Sequence, residues 1–437
     1  MRLPLAPEPA PRSRDGRIVT IDVLRGLAIL WVMTFHLYAD MIQRADAEPR
    51  HLYPAVRDRL AEGAPLHALT ALAELVMSMG YQGVPLFMML SGLSLTLSAH
   101  RRREAPLLRG YLERGRRLLV PYWTATMLTV ATIAAVALLQ MLLHGGSYHD
   151  QWFGVTLART VAVNTRLDDV LYTLSVFGWL FRDKPVTIAV GSLWFVQMLV
   201  VYYVVFPFAL RLLERVGPWR FLLLGLAFTL AARGWFVFLP PHWIDPLSRT
   251  RLLYVFPLFR ASEFFMGMSL GYLLTRHRAQ VAEWVRSPFD IAGIVVMALL
   301  LQMFGAMLKT ETDLLSVLGD PAIQIAMALF IVPVLFKAPG RLEVSAFAAV
   351  TAFVGTVAYA ALIVNDQMRY LASFLRQEEL PRAAWWFFLV VIYIPMGTLL
   401  AYPLAKVLGL LPDRRPPAAA QRLDPGSTPQ AQPISGG

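Results

Sequence analysis

The sequence contains no cysteine and few charged residues for its length. None of its 437 residues is cysteine, which excludes disulfides, thiol nucleophiles and cysteine-ligated metal sites, and which leaves the redox compartment undetermined. Charged residues make up 16% of the chain, whereas soluble domains carry about a quarter. Apolar residues make up 57% and are arranged in long runs. Because about 20 apolar residues are enough to cross a bilayer, the composition indicates a membrane protein.

The apolar runs predict an all-α polytopic membrane protein with about ten transmembrane helices. The predicted spans are 20–41, 69–98, 118–143, 186–210, 219–239, 253–274, 289–308, 321–336, 344–365 and 384–407. Gly83 and Pro85 predict a kink or break in the second span. Four charged residues interrupt the segment 151–181, which is interpreted as re-entrant or surface helices rather than as a span.

The distribution of Lys and Arg predicts that both ends of the chain lie in the cytoplasm. Basic residues gather in the short segments on one side of the predicted spans, whereas acidic residues roughly balance them on the other side. The net charge of +11 is explained by this topology control, by attraction to anionic lipid or by an anionic cytoplasmic cosubstrate. With no nucleic-acid motif, no nucleic-acid partner is expected. The predicted organisation is a cytoplasmic segment 1–17, a transmembrane domain 18–411 and a disordered cytoplasmic tail 412–437.

The first predicted span holds three ionisable side chains, which are rare inside a membrane and indicate function by default. They are Asp22, Arg25 and His36. In a helix, Arg25 and His36 lie within about 20° of the same face and about 16 Å apart along the axis. Arginine suits phosphate oxygens, and histidine suits removal of a hydroxyl proton near neutral pH. The alternative is that Arg25 anchors the topology and His36 packs between helices.

Other polar and aromatic positions have both structural and functional interpretations. Arg116 and Arg117 form a basic entrance for an anionic group at the third span, or serve only to orient the chain. Arg260 and Glu263, three residues apart, are spaced for an ion pair within one helix. Trp194 and other aromatic residues at span ends are interpreted as interface anchors. The eight histidines show no metal-ligand spacing, so no metal site is expected.

Several stretches occur in the order typical of one known family. A basic residue, an Asp-x-x-Arg-Gly stretch and a later His are matched by Arg17, Asp22, Arg25, Gly26 and His36. Four further stretches match in order: GVPLFMMLSGL, RRLLVPYW, SLWFVQMLVVYYVVFP and FRASEFFMGM. On these motifs, the chain resembles the acyltransferase-3 family of membrane acyltransferases over about residues 17–408.

The resemblance implies transfer of an acyl group, commonly acetyl, from cytoplasmic acyl-CoA to a saccharide hydroxyl. It implies acyl-CoA, with acetyl-CoA expected, as a cosubstrate rather than a bound cofactor. The implied acceptor is an envelope or exported polysaccharide, and the implied location is the bacterial inner (cytoplasmic) membrane. By position, His36 would be the catalytic histidine and Arg25 would belong to the same essential pair. Arg116 and Arg117 would lie at the acyl-CoA entrance.

Two positions depart from the family pattern. Many members have Glu where this chain has Gln197, and His where it has Asn365. The amides keep hydrogen bonding but cannot exchange protons, and Glu263 is a candidate substitute for the missing carboxylate. The candidate supporting polar residues are Asp22, Gln197, Arg260, Glu263 and Asn365. The alternatives to acyl transfer are a non-catalytic transporter or flippase-like protein and an assembly subunit for a polar envelope molecule.

Overall fold

The computed structural model describes the greater part of the chain. The described residues are 19–38, 61, 65–101, 107–144, 149–150, 155–156, 171, 174–176, 193–238, 252–253, 255–310, 313–337, 345–375 and 382–411. The helices in these ranges are α1 (Val19–Leu37), α2 (Pro65–Ser78), α3 (Gly83–Arg101), α4 (Leu107–His144), α5 (Trp194–Val216), α6 (Pro218–Val237), α7 (Ala261–Arg276), α8 (Arg278–Trp284), α9 (Pro288–Thr310), α10 (Asp313–Lys337), α11 (Ala346–Thr356), α12 (Ala358–Leu375), α13 (Arg382–Phe387) and α14 (Ile394–Val407).

Extended structure is confined, within the described residues, to one short antiparallel pair. The strands are β1 (His149–Asp150) and β2 (Val155–Thr156), with His149 opposite Thr156. The predicted all-α class is therefore confirmed for the described part of the chain.

Seven helical stretches among the described residues are long and apolar enough to cross a membrane. They are Val19–Leu37, Leu72–His100, Trp194–Val216, Pro218–Val237, Pro288–Leu308, Val317–Phe336 and Phe388–Val407. The pair α11 and α12 passes the same test together, which gives up to eight spans. The predicted spans 118–143 and 253–274 fall on α4 and α7, outside this set. The helix α7 has 16 residues and follows directly on a 3-10 turn, Pro257–Arg260.

Two helical stretches are interrupted beside the functional residues. A 3-10 turn, Met79–Gln82, separates α2 from α3 directly before Gly83, at the predicted break in the second span. A bend of 78° separates α11 from α12. In a membrane, such breaks persist where neighbouring helices satisfy the freed backbone groups.

The first helix, α1, packs along α11 with very little space between the two backbones. Gly26 faces the backbone carbonyl of Thr351, and Gly355 faces the backbone carbonyl of Asp22. A glycine at each contact allows the helices to approach closely, as small residues do in membrane bundles. The same helix also packs against the 3-10 turn, α3 and α12, so its polar residues lie between several neighbours.

Some predictions concern residues outside the described ranges. The cytoplasmic segment 1–17 and the tail 412–437 are among them, as is most of the segment 151–181. The count of ten spans and the placement of both ends in the cytoplasm stay predictions.

Candidate functional site

His36, near the end of α1, lines a cavity of about 90 Å³. The aromatic rings around it belong to Phe35, Tyr81, Phe87, Trp194 and Phe195. Val32, Val84 and Leu362 complete the lining, so His36 is the basic side chain in a largely apolar wall. Trp194, interpreted from the sequence as an interface anchor, is part of this wall. Its position at the first turn of α5 brings the ring into the bundle.

A hydrogen-bonded chain connects His36 to the last two long helical stretches. Asn365 Nδ2 lies 3.2 Å from His36 Nδ1. The hydroxyl of Tyr393 donates to Asn365 Oδ1 at 2.7 Å and lies 3.2 Å from the Asn365 backbone carbonyl. Asn365 and Tyr393 are fully buried. The predicted departure residue, Asn365, is therefore a direct partner of the predicted catalytic histidine, and Tyr393 is a functional candidate that the sequence did not reveal.

Arg25 lies on α1 and is half-buried, with 30% of its side chain exposed. Its guanidinium contacts Asp22 Oδ1 at 3.4 Å and donates to Ser94 Oγ at 2.8 Å. Asp22 is buried, so the predicted polar cluster of the first helix is an ion pair tied to α3. The hydroxyl of Ser94 also donates to the Leu90 backbone carbonyl, which orients its oxygen towards Arg25.

A second arginine contacts α3 one turn further along. Arg114, on α4, donates to Ser98 Oγ at 3.1 Å. Arg116 and Arg117, the predicted entrance residues, are exposed. Arg114 lies on the same face of α4 as Leu118 and Tyr122, which are both buried. Of Arg114, Arg116 and Arg117, Arg114 is therefore the one that points into the bundle.

Gln197 is buried on α5 and donates to the hydroxyl of Tyr122 at 2.7 Å. Tyr122 is also buried, on α4. This bond joins α4 to α5. In sequence, Gln197 comes shortly after the cavity residues Trp194 and Phe195. Gln197 itself is not one of the residues that line the cavity.

The predicted pair of Arg260 and Glu263 forms a buried ion pair at the start of α7. Arg260 donates to Glu263 Oε1 from Nη2 at 2.7 Å and from Nε at 2.9 Å. Gln324, on α10, donates to the same oxygen at 3.0 Å. The Arg260 guanidinium lies over the ring of Trp194, 5.5 Å from its centroid. Glu263 therefore lies in a charged cluster behind the Trp194 wall and outside the cavity lining, and its role as a substitute for the carboxylate missing at Gln197 stays a prediction.

The structure thus brings some predicted residues together and separates others. His36 and Asn365 form one site, and Asp22 and Arg25 form a second on the same helix. Gln197 and the Arg260 cluster support the surrounding helices. No group of three or more histidine and acidic side chains lies arranged to hold a metal ion in the part of the chain that the structure describes.

The apolar helices and the buried polar site define a multi-pass membrane protein with a histidine at a largely apolar cavity. The chain belongs to the acyltransferase-3 family, because the family model described as an acyltransferase domain matches residues 18–406. This match confirms the resemblance seen in the sequence motifs and identifies the protein as a membrane acyltransferase. The comparisons with curated proteins and with solved structures find no match.

Proposed function

We propose that the protein is an O-acyltransferase that moves an acyl group, normally acetyl, from cytoplasmic acyl-CoA to a hydroxyl of an envelope or exported saccharide. The observation that carries this proposal is the position of His36 in an aromatic cavity, on the helix that also holds the half-buried Arg25. A base at the acceptor hydroxyl and a cation for an anionic donor are the two groups that this reaction needs.

The reaction requires a base at the acceptor hydroxyl. His36 takes the hydroxyl proton as the oxygen attacks the thioester carbonyl, and the carbon–sulfur bond then breaks. The proton goes to the sulfur of CoA, which leaves as a thiol. The aromatic wall covers part of the site and thereby limits loss of the acyl group by hydrolysis.

The donor requires cations for its phosphate groups. Arg25 and Arg114 contact Ser94 and Ser98, which lie one turn apart on α3. The two guanidinium groups come from α1 and α4 and both contact α3. Together they make a binding site suited to phosphate oxygens. We assign acyl-CoA binding to Arg25 and Arg114, with the exposed Arg116 and Arg117 contributing long-range attraction.

The small cavity supports a short acyl group. A cavity of about 90 Å³ beside His36 has room for an acetyl group, which is the acyl group we propose. The saccharide acceptor and the bacterial inner membrane are proposed from the family, since exported glycans are modified where cytoplasmic acyl-CoA and membrane-bound acceptors meet.

The test is turnover of labelled acetyl-CoA by the purified protein in lipid, with an envelope-glycan extract as acceptor. We expect label in the glycan fraction and a loss of at least about 100-fold in CoA release for His36→Ala, since a positioned base contributes about 10²–10⁴-fold. His277→Ala is the control, because His277 bonds Gln280 at the end of α7, away from the cavity.

Unchanged label transfer by His36→Ala would contradict the catalytic assignment. Failure of the wild-type protein to bind acetyl-CoA would contradict the proposed donor. The same assay separates acyl transfer from the transporter alternative, since a transporter releases no CoA.

A further inference from the structure

The partner of His36 limits which ring nitrogen can carry a proton. Asn365 Nδ2 faces His36 Nδ1, and Tyr393 donates to Asn365 Oδ1. A neutral imidazole has one donor nitrogen and one acceptor nitrogen. In this arrangement Nδ1 accepts, so the ring proton lies on Nε2. A ring in this tautomer donates a hydrogen bond through Nε2 but cannot remove a proton with it.

Rotation of the Asn365 carboxamide by 180° reverses this assignment. Oδ1 then accepts a hydrogen bond from His36 Nδ1–H, and Nε2 carries the lone pair that a base requires. Tyr393 permits the exchange, since its hydroxyl lies 3.2 Å from the Asn365 backbone carbonyl. It donates to that carbonyl and accepts from Nδ2, so each polar group keeps a partner.

We propose that Asn365 is a rotatable positioning residue that supplies the hydrogen-bond acceptor for His36 Nδ1–H during acyl transfer, and that Tyr393 stabilises both orientations of its carboxamide. The proposal rests on the proposed acyltransferase function. It explains how an amide at position 365 supports catalysis even though an amide exchanges no proton.

The proton balance follows from this arrangement. His36 Nε2 removes the proton of the acceptor hydroxyl, and the ring becomes an imidazolium with protons on both nitrogens. Asn365 Oδ1 stabilises the proton on Nδ1 throughout. The Nε2 proton then passes to the thiolate that leaves from the thioester, so the products are an ester and a CoA thiol. Asn365 neither gains nor loses a proton.

The surroundings of His36 include other charged groups on α12. Arg369 lies close enough to act electrostatically on His36. It contacts Asp366 at 3.5 Å, and Asp366 is buried directly after Asn365. Because this ion pair is common to all the variants below, differences among them report on the Asn365 contact.

The first experiment measures the tautomer directly and needs no activity. The histidines of the full-length protein in lipid are labelled with ¹⁵N, and the His36 signals are identified by their loss in His36→Gln. Wild type is expected to carry the resting proton on Nε2. Asn365→Asp, which offers only acceptors, is expected to protonate Nδ1. Identical protonation of the two proteins would overturn the inference.

The second experiment separates positioning from folding by steady-state kinetics. Asn365→Leu removes both hydrogen-bonding atoms, and we expect kcat to fall about 100-fold, as for loss of an oriented base. Asn365→Asp keeps the acceptor, and its kcat is expected to stay within about tenfold of wild type. The KM for acyl-CoA is expected to stay unchanged in both, because donor binding is assigned to Arg25 and Arg114.

Tyr393→Phe removes the hydroxyl that holds the carboxamide, and we expect a smaller fall in kcat, about tenfold. Gln302→Leu is the control for loss of a buried amide, and Tyr402→Phe is the control for loss of a hydroxyl on α14. Gln302 is buried on α9, and among the described residues its amide has no hydrogen-bond partner. Both controls are expected to retain the wild-type kcat.

Equal losses of kcat in Asn365→Asp and Asn365→Leu would overturn the inference, because they would indicate packing rather than a hydrogen bond. An unchanged kcat in Asn365→Leu would overturn it as well. Absence of turnover in wild type would contradict the proposed function, and the ¹⁵N signals would then decide the inference on their own.

Discussion

At the scale of single residues, the direction of a side chain decides which arginine can bind acyl-CoA. Arg114, Arg116 and Arg117 lie within one turn of α4 and carry the same charge, but Arg114 is half-buried and bonds Ser98. The other two are exposed. An exposed guanidinium is largely screened by solvent and salt, whereas a partly buried one keeps most of its attraction for an anion.

We therefore expect Arg114→Gln to raise the KM for acyl-CoA by about tenfold, which corresponds to about 1.4 kcal/mol. Arg116→Gln makes the same charge change two residues away and is expected to raise the KM less than threefold at physiological salt, since exposed charges contribute about 0–1 kcal/mol. Steady-state kinetics with acetyl-CoA at two salt concentrations measures both. Equal effects of the two substitutions would contradict the assignment of the donor site to Arg114.

Part of this site was predictable from residue spacing, and part was not. Arg25 and His36 share a helix, so the helical period alone predicts their common face. Asn365 is 329 residues from His36 in sequence, and no local pattern joins them. On α4, lipid-facing positions are as apolar as buried ones, so hydropathy does not reveal the inward face. Polar residues do not reveal it either, because Thr126 and Thr129 are buried whereas Thr124 is exposed.

At the scale of elements, the contact between α1 and α11 positions the catalytic helix. Gly26 and Gly355 each face a backbone carbonyl of the other helix. A methyl group at either position would meet backbone atoms, which cannot move without separating the helices. Apolar runs predict that these helices exist, and Gly83 with Pro85 predicted the break before α3. The pairing of α1 with α11 depends on shape, which the order of apolar residues does not specify.

Gly355→Ala is expected to destabilise the protein by about 1–3 kcal/mol, the usual cost of overpacking. It should also lower acyl transfer, since the Asp22 backbone at the contact is one turn from Arg25. Gly293→Ala on α9 is the control, because a methyl group there meets no atom of the described residues within 4 Å. The midpoint of thermal unfolding in lipid measures the difference. Equal midpoints for the two variants would contradict close packing at the α1–α11 contact.

At the scale of the whole molecule, the number of spans fixes where the two ends lie. Seven crossings would place the ends on opposite sides of the membrane, whereas eight or ten would place them on the same side. The pair α11 and α12, bent by 78°, decides between seven and eight. This stretch contacts α1 on both sides of its bend: Gly355, before the bend, faces the Asp22 backbone, and Asn365, after it, contacts His36.

The distribution of Lys and Arg predicts that both ends lie in the cytoplasm. Because the chain contains no cysteine, single cysteines can be introduced to test this without first removing any. Single cysteines are placed in the terminal segments by Ser13→Cys and Ser427→Cys, with Ala279→Cys and Thr312→Cys as controls for the predicted inner and outer sides. Intact cells are treated with a thiol reagent that does not cross the membrane. We expect label at Thr312→Cys alone, and labelling of the other three only after the cells are permeabilised. Label at one terminus but not the other in intact cells would contradict an even number of spans.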